Sequence, residues 1–205
     1  MSKPWQGWPL VGVASAALVA LQLAMLASAG TDEPGLRELV RVSVRVSFAI
    51  FLLVFAARPA RVFWPGPFTR WLVRNRRHLG VSFAVAHFLH LGDVALLALL
   101  LGDGFTVSPL TLYAGGLSYV LLAAMTATSF DRSARWLGPR RWKLLHRAGL
   151  YLLWIIFAQN WTFSALKYPG YVPLALAAWG ALALRIAAWR ARRASAAAPA
   201  PVHAG

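Results

Sequence analysis

Two histidines, His90 and His146, stand within or at the edge of long apolar runs, beside arginine-dense segments. An ionisable side chain in hydrocarbon is costly and usually functional. Neutral imidazole is also the usual protein ligand of heme iron, so the pattern points to a membrane cytochrome. His87 precedes His90 by three residues. On a helix the two are separated by about 60° and share a face, so one can ligate while the other makes a hydrogen bond. His78 follows Arg74, Arg76 and Arg77; it is either a further ligand or an interfacial residue.

Several polar residues could support such a site. Asp93 lies three residues after His90; its carboxylate either accepts the second imidazole N–H or sits in the wet outer interface. Arg41 and Arg45 are one helical turn apart. They either pair with heme propionates, which are carboxylates needing cations near the surface, or snorkel to the headgroups. Tyr151, Gln159 and Asn160 are polar positions in the fifth apolar run and are weaker candidates for lining a cofactor cavity.

Six apolar segments must position these residues: about 9–29, 39–57, 78–101, 110–129, 147–165 and 171–189. Runs of this length are long enough to span a bilayer. The predicted fold is all-α and integral to the membrane, a six-helix bundle forming one domain over residues 1–189. A basic, then Ala/Pro-rich tail at 190–205 is predicted to be disordered, and His203 within it is not expected to ligate. The first run also resembles a signal peptide, with Ala27-Ser28-Ala29 as a possible cleavage site; its length favours a transmembrane helix.

Orientation follows from arginine placement. The segment 58–77 holds six Arg and no acid, and 130–146 holds Arg132, Arg135, Arg140, Arg141 and Lys143 against one Asp. Both are predicted to be cytoplasmic loops, as are both termini. Spans three and five then run parallel. His78 and His146 start them at the cytoplasmic side and are level, placed to clamp an inner heme. His87 and His90 lie roughly 14 and 18 Å deeper than His78 at 1.5 Å per residue. The residue level with His90 on span five is Gln159, which is not an ordinary heme ligand.

Composition supports the membrane reading. Of 205 residues, 59% are hydrophobic and 13% charged, with a mean hydropathy of +0.58. A soluble domain of this size needs more polar surface. The net charge of +15 would suggest nucleic acid in a soluble chain; between apolar runs it reads as topology, and no nucleic-acid partner is expected. With no cysteine, thiolate-ligated heme, iron–sulfur clusters and covalent heme attachment are excluded.

The segment Arg74-Asn75-Arg76-Arg77-His78-Leu79-Gly80, followed by Leu89-His90-Leu91, resembles the third helix of ferric reductase-like transmembrane domains. Thr128-Ser129-Phe130 and then Leu137-Gly138-Pro139-Arg140-Arg141-Trp142-Lys143-Leu144-Leu145-His146-Arg147 resemble the loop and fifth helix of the same group. The likeness covers roughly spans two to six and is strongest to the heme-binding membrane subunits of methionine sulfoxide reductase systems. It implies heme b between helices three and five, with His90 and His146 matching family histidines and Gln159 standing where the family has another. It further implies a multi-pass protein of the bacterial inner (plasma) membrane, an electron-transfer subunit of an oxidoreductase rather than a complete enzyme. Its donor would be a separate flavoprotein reductase or quinol, and its acceptor a periplasmic oxidoreductase or ferric iron. One heme per chain is expected rather than two, because of Gln159. The rival reading is a non-redox membrane protein, a permease or assembly factor, on a scaffold that has lost a ligand.

Overall fold

The computed structural model describes residues 5–197, so the tail residue His203 lies outside the described part. The elements are α1 (Trp8–Ala29), α2 (Glu33–Phe63), α3 (Pro67–Leu101), α4 (Pro109–Ala127), α5 (Asp131–Leu137), α6 (Pro139–Lys167) and α7 (Val172–Ala197), with short 3-10 turns at Gly102–Gly104 and Pro169–Tyr171. No strand occurs among the described residues.

Proline marks most helix starts: it occupies the first or second position of α1, α2, α3, α4 and α6. A missing N–H costs nothing there and φ is already set. Side chains complete two of these starts. Asp32 accepts from the Gly35 amide at 3.2 Å, and Ser108 accepts from the Thr111 amide at 3.2 Å. Gly35 is required by the tight α1–α2 corner, because a Cβ there would collide with the carbonyl oxygens of Ala29 and Gly30. Backbone atoms cannot rotate away. Gly35→Ala is therefore expected to lower stability by about 1–3 kcal/mol, as overpacking does, seen as a lower midpoint of thermal unfolding in detergent.

The helices correspond to the six apolar runs but extend beyond them. The predicted arginine loop at 58–77 is almost wholly helical, with only residues 64–66 between α2 and α3. The segment 130–146 holds α5 and the first turns of α6, so His146 lies within a helix rather than at its start. The predicted loop at 30–38 already contains the start of α2, and α7 continues through the basic part of the predicted tail. The reason is common to all four. Arginine, lysine, glutamate, leucine and alanine are all good helix formers, so an apolar run ends where charge begins while the helix continues into the interface.

Four helical segments are long and apolar enough to cross a membrane: α1, α2, α3 with its following turn, and Pro169–Ala196. α4 and α5, bent by 108° at their junction, make a fifth only if the pair is taken as one span. α6 is not among them; Gln159 and Asn160 interrupt its apolar stretch.

α2 packs most extensively on α3, and also against α1 and α7. α6 packs on α4 and α7. The core is aromatic where α2, α3 and α6 converge. Phe51 lies 5.4 Å from Phe83 and 5.2 Å from Phe157, and Phe48 lies 5.1 Å from Phe157 and 5.4 Å from Trp161, centroid to centroid. Such pairs contribute beyond their buried area. Pro59 sits inside α2, and its missing N–H deprives the Phe55 carbonyl of a helical donor. Arg185 of α7 donates to that carbonyl at 2.9 Å, and Arg76 of α3 donates to the Val54 carbonyl at 3.1 Å.

Candidate functional site: the histidines of α3 and α6

His87 and His90 project from α3 toward a hydroxyl pair on α2. Ser47 Oγ is 2.8 Å from His87 Nδ1, and Ser43 Oγ is 3.0 Å from His90 Nδ1. As one number rises the other falls, so the two helices pair in antiparallel register. His87 is buried. Its ring stacks on Tyr119 of α4 at 4.8 Å, on Phe83 at 5.3 Å and on His90 at 5.6 Å, and lies 5.4 Å from Phe157 of α6. His90 is half-buried. α3 and α6 thus approach each other through rings.

Asp93 is 0% exposed. Its Oδ1 accepts from Gln22 Nε2 of α1 in a short hydrogen bond, while Oδ2 is buried without a partner. The carboxyl is therefore interior, which removes the reading of Asp93 as a residue of the wet interface. Beside it, Leu18, Gln22, Ser43, Ala86 and Leu89 help line a cavity of about 20 Å³, enough for one water.

His146 meets the corner where α4 turns into α5, and His78 lies next to it through Trp8 and its own neighbour Arg77. Thr128 Oγ1 lies 3.2 Å from His146 Nε2. Arg77 donates to the Ser129 carbonyl and pairs with Asp131 at 2.6 Å. Phe130 stacks on Trp8 at 5.0 Å, and Trp8 meets His78 edge-on at 5.3 Å. The two histidines share this end of the bundle, as their predicted depth requires. His78 Nδ1 is buried without a hydrogen bond. His146 stacks on Trp142 at 4.2 Å. Gly149, one turn above, leaves space for the Met125 side chain, which a Cβ would strike.

Gln159 is not brought to the α3 histidines. It is exposed, and the α6 residue that reaches His87 is Phe157. Two residues are about 200° apart on a helix, so a helix that turns Phe157 inward turns Gln159 outward. His146 and Phe157, eleven residues apart, share a face to within about 20°. Tyr151 accepts from Arg185 at 3.1 Å, and Asn160 is exposed.

The two outer arginines differ. Arg41 pairs with Glu38 at 2.8 Å. Arg45 makes no ion pair among the described residues; its guanidinium lies over the Tyr171 ring at 5.1 Å. Residues that the sequence did not single out are Ser43, Ser47, Tyr119 and Gln22; Thr128 entered only as part of a family-like motif. The available signals were the four-residue spacing of the two serines and the lone polar Gln22 in α1.

Several long apolar helices around interior imidazoles define a multi-pass, all-helical membrane protein. The chain is 39% identical over 127 residues to the protein-methionine-sulfoxide reductase heme-binding subunit MsrQ of Enterobacter sp. (strain 638), covering 58% of this chain and 62% of that protein. The MsrQ of Salmonella enteritidis PT4 (strain P125109) is 39% identical over 129 residues, 60% of this chain and 61% of that protein. The MsrQ of Polaromonas naphthalenivorans (strain CJ2) is 30% identical over 154 residues, 67% of each. The chain belongs to the MsrQ family. It spans about three fifths of the length of the first two relatives. No family model and no solved structure matches it.

Proposed function

We propose that the chain binds heme b and relays electrons across the bacterial inner membrane, from a separate flavoprotein reductase or quinol to a periplasmic oxidoreductase. The observation that carries this reading is the placement of four of the five histidines on α3 and α6, in a chain whose relatives are named heme-binding subunits. The donor set fits an axially ligated porphyrin. His87 and His90 each tie Nδ1 to a serine, and no side chain among the described residues bonds their Nε2. His90 and His146 are the proposed iron ligands, but they share one iron only if the helices tilt, because His90 lies roughly 18 Å deeper than the level of His78 and His146. His78 is the level partner of His146, and His87 is the neighbour of His90. Arg45, free of carboxylates, suits a propionate better than Arg41. When bound, heme b supplies one-electron chemistry; the protein supplies ligation, spacing and dielectric.

Six crossings with both termini cytoplasmic belong to this proposal. The six long helices support it, as do the arginines at the α2–α3 corner, around α5 and at the end of α7. The test is a reduced-minus-oxidised absorption spectrum of the purified protein in detergent, after expression with ample heme. A b-type α-band is expected, and its absence overturns the reading. Gln159, turned outward where relatives of this type are expected to carry a histidine, favours the rival of a non-redox membrane protein on the same scaffold, which predicts no heme.

Thr128 sharpens the assignment of His146. Its hydroxyl donates to the Ala124 carbonyl at 2.7 Å, so its oxygen accepts from His146 Nε2–H. Iron ligation through Nε2 competes with that bond, which contributes about 0.5–1.5 kcal/mol. Thr128→Val is therefore expected to tighten heme binding about 2- to 10-fold in a titration of the apoprotein. Weaker binding would instead assign ligation to Nδ1 with Thr128 as its support.

A further inference from the structure

We infer that Ser43 is a positioning residue that sets the tautomer of His90 and so makes this imidazole, rather than His87, the one presented as a ligand. The role of His90 in holding iron rests on the proposed function; the tautomer does not.

Ser43 has one hydroxyl proton and two acceptors for it, the Val40 carbonyl, 3.3 Å away, and the Asp93 carboxyl. With its proton committed to either, the Ser43 oxygen can only accept from His90. The atom 3.0 Å from it is Nδ1, so Nδ1 carries the proton. A neutral imidazole has one N–H, which leaves Nε2 with a bare lone pair. Neutral histidine ligates metals through such a nitrogen, with the other nitrogen's hydrogen bond fixing ring orientation and raising basicity.

Ser47 differs in one respect. Its Oγ lies 2.8 Å from His87 Nδ1, and no backbone carbonyl receives its proton among the described residues. Ser47 is therefore free to donate to Nδ1, which places the His87 proton on Nε2 and removes the ligating lone pair. The His87 ring is further enclosed by Tyr119, Phe83 and Phe157. Two neighbouring imidazoles thus face two neighbouring serines with opposite proton arrangements.

The experiment uses full-length protein with 15N-labelled histidine, without heme, in lipid, read by solid-state NMR. His90 is assigned by its loss in His90→Ala. The wild type is expected to show His90 protonated at Nδ1 and bare at Nε2. Ser43→Ala should shift that proton toward Nε2, Ser43→Thr should restore it, and Ser47→Ala should leave His90 unchanged. The same variants loaded with heme give a second readout. Ser43→Ala should weaken heme affinity about 10- to 100-fold, as loss of such a partner does at other metal sites, and raise the midpoint potential, with Ser43→Thr again restoring both. His90 found protonated at Nε2 in the wild type overturns the inference. So does an unshifted Ser43→Ala, or a Ser43→Thr that behaves like it. Wild-type protein that carries the expected tautomer but takes up no heme overturns the electron-relay reading alone.

Discussion

The His146→Ala protein is expected to lose the b-type α-band, whereas His90→Ala should only weaken it. The asymmetry comes from how imidazoles are distributed between the two helices. α6 contains one histidine, so its removal leaves that helix with no imidazole to offer iron. α3 contains three, at 78, 87 and 90. His78 lies at the same end of the bundle as His146, so an α3 imidazole level with His146 remains when His90 is removed, whereas His87 presents no free lone pair to iron. The measurement is the reduced-minus-oxidised spectrum of each variant at equal protein concentration, with elution volume on size exclusion as the check that the bundle is intact. An unchanged α-band in folded His146→Ala protein would remove α6 from the site. The same geometry bears on stoichiometry. The inward face of α6 that carries His146 carries Phe157 at the level of His87, and Gln159 points outward. One heme per chain is the expected ratio, and a ratio of two would show that His78 or His87 completes a second site.

How far this site was legible in the sequence depends on what each inference needed. Depth needs only counting along a helix, so the placement of His78 and His146 toward one end of the bundle is readable; His146 contacts Thr128 there, and His78 contacts Trp8, which stacks on Phe130. Facing needed the rotation of α6 about its axis. Gln159 and His90 have similar depth, yet the rotation that buries Phe157, Leu153 and Trp154 carries Gln159 to the outside. Hydropathy does not fix that rotation, because α6 carries large apolar side chains on both faces, as buried Phe157 and exposed Ile155 and Phe163 show. The serines were harder still. A hydroxyl in an apolar helix ordinarily bonds its own backbone, as Thr126 does to the Leu122 carbonyl. Ser43 and Ser47 gain their meaning only from the antiparallel register of α2 on α3. Element boundaries differ for another reason: charge marks the end of the hydrocarbon layer, not the end of the helix, so the arginine-rich segment at 58–77, predicted as a loop, is almost wholly helical.

Arg185 shows what that segment does when read as helix. Pro59 leaves the Phe55 carbonyl without its helical donor, and Arg185 Nη1 supplies one from α7. The guanidinium also lies over the Phe55 ring at 4.5 Å and donates from Nε to Tyr151 at 3.1 Å, so a single side chain joins α2, α6 and α7. Arg185→Met keeps most of the stem but leaves the carbonyl unpaired in an apolar setting. That is expected to cost about 1–3 kcal/mol, read as a lower unfolding midpoint in detergent. The sign of the coupling with Pro59 is the sharper test. Pro59→Ala returns an N–H at position 59, which can close the helical bond to Phe55. In that background Arg185→Met should cost less than it does alone, because the carbonyl no longer depends on Arg185. A double-mutant cycle over Pro59→Ala and Arg185→Met should therefore show a coupling of about 1 kcal/mol in which the double variant is more stable than the sum of the singles. Additivity would mean that Arg185 acts through its ring contacts alone, and that the break in α2 is satisfied by other means.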